Sequence, residues 1–200
     1  GVKPTGSRDP FGLKRAANGI IKVLISTKLF TNINDLLEIS FGDLNLKKYN
    51  VKIELIDFIF ERFKMNLIEE KFDSSYVNSI LNNINSLNHP LIFLKNRVKS
   101  LEIFLTTQDG KNFIQNYKRV FNILKNFDVS TLPNIIDKSI LETDSEKKLS
   151  NFVQQMEKIN LEDKYEFSDK KILAKFVKSN ELVLNFFENT MVNVNKTNIR

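Results

Sequence analysis

The chain has 200 residues, enough for one large domain or two small ones with a substantial core. Hydrophobic residues make up 42% and charged residues 27%, a composition typical of globular rather than disordered proteins. Cysteine is absent, which excludes disulfides and cysteine-based zinc or redox sites. The net charge of +6 suits a polyanionic partner. A second explanation for this charge is codon bias, since abundant Lys, Asn, Ile and Phe are typical of an AT-rich genome.

The first predicted element is an amphipathic helix that begins at Pro10. Asp9 is placed to accept hydrogen bonds from the unpaired N–H groups of the first turn, and proline suits the first helical position. Helical spacing then separates an apolar face from a basic one. The apolar face contains Leu13, Ala17, Ile20 and Leu24, and the basic face contains Lys14, Arg15, Asn18 and Lys22.

Four further helices are predicted in the first half of the chain. A short one follows the capping residues 31–35 and is expected to break at Phe41–Gly42–Asp43, before a candidate boundary at residues 44–50. The other three are expected over residues 51–70, over residues 76–87 with Asp73 or Ser74 as cap, and from Pro90 onward. Their apolar stripes comprise Leu55, Ile56, Ile59, Phe60, Phe63 and Leu67 in the first of these, and Leu91, Leu94, Val98, Leu101 and Leu105 in the last.

The second half is also predicted to be helical. Residues 107–110 are expected to form a turn, and residues 111–126 the helix that follows it. After a loop and a short helical turn at 134–140, helices are expected at about 143–158 and 168–190. No segment shows convincing strand alternation, so the sequence predicts an all-α fold of about eight helices, possibly in two helical subdomains.

Several kinds of active site are excluded by residue counts. His89 is the only histidine, and a lone histidine before proline is interpreted as a surface residue near a helix start. A metal-dependent phosphohydrolase of the HD type needs a His-Asp pair and further histidine ligands, which this chain cannot supply. Residues 4–7 lack the glycine spacing of a phosphate-binding loop. The sequence therefore predicts no catalytic and no metal-binding residues.

The helix predicted at residues 111–126 has a basic ridge. Lys111, Lys118, Asn122 and Lys125 share one side, with Arg119 and Asn126 beside them. Long cations of this kind can contact phosphates, and amides can contact bases or sugar hydroxyls. The opposite face is expected to be buried, and it contains Phe113, Tyr117, Val120, Phe121 and Leu124. The alternative interpretation is an ordinary solvated helix surface.

Three segments resemble one protein family. Residues 3–20, KPTGSRDPFGLKRAANGI, are similar to the KPTGSKDPFALRRAALGI-type segment of the β subunit of bacterial tetrameric glycyl-tRNA synthetase. Residues 116–125, NYKRVFNILK, resemble its NKRVANILK segment, and residues 185–194, NFFENTMVNV, resemble its DFFDNVMVMAED segment. Departures include Arg8 for the usual lysine and Asn195–Lys196 for the acidic pair that closes the last segment. The three segments occur in family order.

This resemblance implies the C-terminal part of such a β subunit. Residues 1–45 would end an HD-like helical region, and residues 46–200 would form a helical C-terminal region. Within it, about 90–200 would resemble the DALR-type anticodon-binding domain of arginyl-tRNA synthetases, with its terminal helix truncated.

The implied function is tRNA binding in support of ATP-dependent glycylation by an α2β2 enzyme in the cytoplasm. ATP and Mg²⁺ would serve the parent enzyme, and this fragment would hold no cofactor and catalyse nothing alone. Expected partners are the tRNA for glycine and the α subunit, with no membrane. The expected tRNA-binding residues are Lys118, Arg119, Asn122, Lys125, Asn126, Arg8, Lys14 and Arg15. The alternative function is a helical module that binds proteins.

Overall fold

A computed structural model describes residues 9, 11–43, 49–82, 88–125, 128, 136–157 and 169–190. These residues contain eight α-helices and no β-strand, which confirms the predicted all-α fold. The helices are α1 Leu13–Ser26, α2 Ile33–Asp43, α3 Tyr49–Glu69, α4 Ser74–Leu81, α5 Leu91–Thr106, α6 Gln108–Leu124, α7 Asp144–Glu157 and α8 Asp169–Asn189. A 3₁₀ turn, Lys138–Ile140, precedes α7.

The chain divides into two compact units, Gly1–Glu102 and Ile103–Arg200. The domain boundary predicted near residue 45 falls at residues 44–48, which lie outside the described part of the chain. The predicted domains therefore stay a prediction.

Helix α3 is central to the first unit, where α1, α2 and α4 all pack against it. Its predicted apolar stripe is confirmed, because Phe63 and Leu67 are completely buried and Leu55 is partly buried against the core. Burying side chains of this size stabilises a fold by about 1.5–3 kcal/mol each. The core members from α3 are Ile56, Ile59, Phe60, Phe63 and Leu67, and those from other helices include Ala17, Ile21, Leu24, Val77, Leu91, Leu94 and Val98.

The start of α1 differs from the prediction. The helix begins at Leu13, and Gly12 occupies its N-cap with a positive φ of 67°. Asp9 still caps it, since its carboxylate accepts from the N–H groups of Lys14 at 3.2 Å and Arg15 at 3.4 Å. Asp9 reaches them from four positions before the helix because a turn intervenes, in which the Gly12 N–H donates to the Asp9 carbonyl oxygen. Pro10, the predicted first helical residue, lies outside the described residues.

The buried face of α1 is also rotated from the predicted one. Ala17 and Leu24 are buried as expected, but Ile21 takes the place of Ile20, which is 46% exposed, and Leu13 is exposed as well. Asn18, expected on the exposed basic side, is half-buried and accepts a hydrogen bond from Arg62 of α3 at 3.3 Å. Ile20 and Ile21 both continue the spacing of Ala17 and Leu24, and packing against α3 selects Ile21.

Two predicted breaks are helical. Phe41, Gly42 and Asp43, which were expected to break α2, are its last three helical residues. The predicted turn at residues 107–110 contains the first residues of α6. Thr107 is the N-cap of α6 and accepts from the Gly110 N–H at 3.1 Å. Gly110 is needed there because a Cβ would lie 2.1 Å from the Phe104 carbonyl oxygen. The sequence predicts Gly42 in a helix break and Gly110 in a turn, whereas each is accommodated within a helix.

Capping groups also fix the starts of α4 and α7. Of the two predicted caps for α4, Asp73 is the one used, and its carboxylate accepts from the Ser75 N–H at 2.7 Å. Thr143 caps α7 by accepting from the Glu146 N–H at 3.2 Å, while the Glu146 carboxylate accepts from the Thr143 N–H at 2.8 Å. This reciprocal pair is a capping box, in which two otherwise unpaired N–H groups are satisfied.

In the second unit, α8 packs against both α6 and α7. The rings of Phe113 in α6 and Phe176 in α8 are stacked with centroids 5.0 Å apart. Nearby, the side chain of Asn116 in α6 is hydrogen-bonded to Asn180, which is 93% buried in α8. These two pairs fix both the distance and the rotation of α6 against α8, and so decide which side of α6 faces solvent.

Candidate nucleic-acid interface

Helix α6 carries three of the predicted site residues, Lys118, Arg119 and Asn122, and Lys125 is its C-cap. The buried side of this helix differs from the expected one. It packs through a face that includes Phe113, Asn116 and Val120, which are half-buried. Tyr117, Phe121 and Leu124 were expected to be buried and are instead 57%, 56% and 41% exposed. The prediction of a buried aromatic face is therefore wrong for these three residues.

The physical reason lies in the contacts with α8. Asn116 faces α8, because its side chain is hydrogen-bonded to Asn180. Val120 and Ile123, four and seven residues later, lie on the same side of α6 and are half-buried. Tyr117, Phe121 and Leu124 lie on the neighbouring flank of the same helix. Because a polar residue occupies the middle of the packing face, hydrophobic spacing alone pointed to the wrong flank.

The exposed aromatic side chains form a row along α6. The rings of Tyr117 and Phe121 have centroids 6.2 Å apart and lie within 19° of parallel. Phe113 extends the row, with its ring centroid 6.5 Å from that of Tyr117 and a 27° angle between the planes. Phe113 in turn stacks on Phe176, so the row is anchored at one end and exposed at the other. This row is called the α6 aromatic row below.

Three predicted polar site residues, Lys118 and Asn122 on α6 and Lys125 at its C-cap, are exposed and are brought together beside the aromatic row. At 3.6 residues per turn they share one side of the helix, adjacent to Phe121. They are called the α6 basic ridge below.

Arg119 lies on a different side of α6 from the aromatic row. Its guanidinium carbon is 3.9 Å from the centroid of the Phe187 ring of α8, a cation–π contact. The residue remains exposed overall. Sequence reasoning missed this packing role, because Phe187 is distant in the sequence and its position depends on how α8 docks.

The other predicted site residues are not all placed. Arg8 and Asn126 lie outside the described residues. Lys14 is half-buried in α1, and Arg15 is exposed, with its Nε 3.9 Å from the Asp9 carboxylate. The Arg15 side chain is 84% exposed and the Asp9 side chain 16%, so water screens the pair from the arginine side and it contributes at most about 1 kcal/mol to stability. Lys14 and Arg15 belong to the first compact unit and the α6 residues to the second.

The described ranges contain neither a metal-binding cluster nor a membrane-spanning helix. No group of three or more His, Asp or Glu side chains there is arranged to hold a metal ion. Likewise, none of the helices that the structure describes combines the length and apolar character needed to cross a membrane. His89 is half-buried before α5, with its ring centroid 5.0 Å from that of Phe93, so it is less exposed than expected.

Comparison with known proteins supports the resemblance over most of the chain. The family described as glycyl-tRNA synthetase beta subunit matches residues 1–82. The chain is 31% identical over 196 residues to a protein named glycine–tRNA ligase beta subunit from Rickettsia bellii (strain OSU 85-389), covering 96% of this chain and 27% of that protein. Proteins of the same name from Thermodesulfovibrio yellowstonii and Rickettsia felis are 30% and 32% identical over 198 residues, with the same coverage. The chain thus spans about a quarter of the length of these relatives.

Proposed function

We propose that this chain, which is homologous over most of its length to glycyl-tRNA synthetase β subunits, is the part of such a subunit that binds the tRNA for glycine. In this proposal it supports ATP-dependent glycylation by a cytoplasmic α2β2 enzyme, together with the α subunit. ATP and Mg²⁺ serve the parent enzyme, and this part contributes binding without chemistry. The observation that carries the proposal is the exposed α6 basic ridge, which lies within the family-like segment at residues 116–125.

The chemistry of the ridge suits RNA. Lys118 and Lys125 are exposed cations that can neutralise phosphates and release condensed counterions, which supplies affinity without sequence preference. Asn122 lies between them and offers one amide that both donates and accepts hydrogen bonds. Contacts to phosphates set the position of the RNA, and contacts to base edges provide discrimination.

Arg119 is included among the proposed tRNA-binding residues although it packs on Phe187. A guanidinium that packs on a ring through its planar face keeps its N–H groups at its edge, where they can donate to phosphate oxygens. Asn126, Arg8, Lys14 and Arg15 complete the proposed tRNA-binding set on the basis of the family resemblance.

A second candidate function is a helical module that docks a protein, such as the α subunit. It is favoured by the exposed apolar side chains on α6, Tyr117, Phe121 and Leu124. Exposed apolar groups of this kind are typical of protein interfaces when they form a continuous patch. Association driven by such a patch would depend weakly on salt, whereas tRNA binding through the ridge would depend on it strongly.

Titrating labelled tRNA for glycine and an unrelated tRNA with the chain at two salt concentrations tests the proposal. We expect binding that weakens steeply with salt and favours the tRNA for glycine. We further expect Asn122→Ala to reduce the preference between the two tRNAs more than the salt dependence. Absence of tRNA binding at the lower salt concentration would contradict the proposed function.

A further inference from the structure

We infer that Tyr117 and Phe121 form a stacking platform for unpaired RNA bases, and that this platform restricts the α6 surface to single-stranded RNA. The inference rests on the proposed function, because it names the part of the tRNA that the surface takes. It starts from an observation that sequence reasoning missed, namely that two aromatic side chains of the family-like segment are more than half exposed.

Exposure of these two rings needs an explanation. Tyr117 is 57% and Phe121 56% exposed, although Phe121 carries no polar group that would make solvent contact favourable. Their planes lie within 19° of each other, with centroids 6.2 Å apart, so neighbouring bases can meet similarly oriented rings. Every base has an aromatic face, and stacking on Tyr or Phe tolerates any sequence.

The charges beside the rings favour RNA over a protein as the occupant. Lys118 and Lys125 are exposed on the side of α6 adjacent to Phe121. A row of rings beside a row of cations matches a nucleotide strand, in which each base is attached to one phosphate. The described part of α6 carries one acidic residue, Asp109, in its first turn and none near the rings. We therefore commit to RNA, and treat a protein partner as an outcome of the test.

Contacts with α8 hold the platform in place. Phe113, at the start of the aromatic row, stacks on Phe176 of α8, and Asn116 pairs with the buried Asn180. A rigid helix that presents its rings before binding loses little conformational entropy when a base arrives. Paired bases are stacked within the duplex and cannot reach such rings, which is why the platform requires unpaired nucleotides.

A single tryptophan provides a direct test, because the chain contains none. In Phe121→Trp the indole replaces one ring of the platform, and its fluorescence should be quenched when a base stacks on it. The probes are a single-stranded RNA of mixed sequence and the duplex that it forms with its complement. The matched control is Ile39→Trp, at a 64% exposed position on α2 next to Glu38, away from any cluster of cations on its own helix.

Affinity measurements complete the test. The pair Tyr117→Leu and Phe121→Leu keeps an apolar surface but removes the rings, whereas Tyr117→Phe keeps the ring. We expect the leucine pair to weaken single-strand binding by about 5- to 150-fold per base that loses its ring, with the salt dependence unchanged. Tyr117→Phe should bind like the unaltered chain, and circular dichroism should show that each variant is folded.

The outcomes separate this inference from the proposed function. Quenching of Phe121→Trp by the single strand but not by the duplex, with no quenching of Ile39→Trp, supports the platform. If the chain binds tRNA but Phe121→Trp is not quenched and the leucine pair binds normally, the platform is wrong while the proposed function stands. If the leucine pair binds RNA normally but Phe121→Asp loses a protein partner such as the α subunit, the row is a protein-docking surface. If the chain binds no RNA at all, both proposals fail.

Discussion

Gly110 lies where the start of α6 passes close to the end of α5. A Cβ at this position would lie 2.1 Å from the Phe104 carbonyl oxygen and 2.8 Å from the Leu105 Cα, and both are backbone atoms that cannot rotate away. Gly110→Ala is therefore expected to destabilise the protein by about 1–3 kcal/mol, the typical cost of overpacking. Urea unfolding followed by far-ultraviolet circular dichroism measures this change.

Gly19→Ala is the matched control for Gly110→Ala. Gly19 is also helical, but a Cβ there would meet no atom within 4 Å. Alanine is the better helix former, so this variant should be more stable by about 0.5–1 kcal/mol. Equal effects at the two glycines would mean that the close approach of α6 to Phe104 does not exist.

Asp9 is the second residue whose role can be tested alone. Its carboxylate accepts from the N–H groups of Lys14 and Arg15, and it also lies 3.9 Å from the Arg15 side chain. We expect Asp9→Ala to cost about 0.5–2 kcal/mol through the lost cap. Arg15→Ala should change stability by less than about 1 kcal/mol, because the Arg15 side chain is 84% exposed and water screens the ion pair. Equal losses in thermal melting would instead assign the contribution to the ion pair.

The carboxyl group of Asp73, which caps α4, should make the stability of the protein depend on pH. The Ser75 hydroxyl and the Ser75 backbone N–H donate to Asp73 and hold its pKa below the ordinary value. A lowered folded-state pKa contributes stability that is present above the unfolded-state pKa and lost as pH falls through the folded-state pKa. In Asp73→Asn this contribution should be absent at every pH. The measurement is the free energy of unfolding from pH 5 down to the lowest pH at which the protein still folds. An unchanged pH dependence would contradict the cap.

Hydrophobic spacing predicted where the helices lie better than it predicted which of their residues are buried. The stripe of α3 was predicted because its whole side faces a core, as the buried Phe63 and Leu67 show. Spacing could not distinguish Ile20 from Ile21 in α1, since both fit the same stripe. It also failed at Tyr117, because a hydrogen-bonded asparagine, and not a hydrophobic residue, occupies the middle of the α6 packing face. Contacts between distant segments decided each of these cases.

The Asn116–Asn180 pair is expected to hold α6 in its rotation against α8. Asn180 is 7% exposed, so replacing it with alanine leaves the Asn116 amide without its partner in a partly buried interface. We expect a loss of about 1–3 kcal/mol, the cost of leaving a buried polar group unpaired. Replacing both asparagines with leucine should recover part of that loss, since no polar group then remains unpaired. A double-mutant cycle measures this recovery, and strictly additive losses would contradict the pairing.

For the whole molecule, the sequence predicted the helical class and the homology, whereas the tRNA-binding role of the candidate surface stays a prediction. It placed Lys118, Asn122 and Lys125 on an exposed side, as the structure does. It did not reveal the exposed aromatic row beside them or the packing of Arg119 on Phe187, because both depend on how α8 docks. The general positive charge, by contrast, could not separate a binding surface from codon bias.

A comparison of two double variants tests whether the α6 basic ridge binds tRNA. One is Lys118→Ala with Lys125→Ala, and the control is Lys147→Ala with Lys148→Ala on α7, where two exposed lysines lie outside the family-like segments. Both remove the same charge, and neither removes a buried side chain.

The measurement is the affinity for the tRNA for glycine over a range of salt concentrations. The α6 variant should bind more weakly, and the slope of log affinity against log salt should be shallower by about 0.7–0.9 for each lost phosphate contact. The α7 variant should keep the slope of the unaltered chain. Equal losses of affinity in both variants would mean that the α6 lysines act only through the net charge of the protein. Unchanged affinity in the α6 variant would contradict tRNA binding by the ridge.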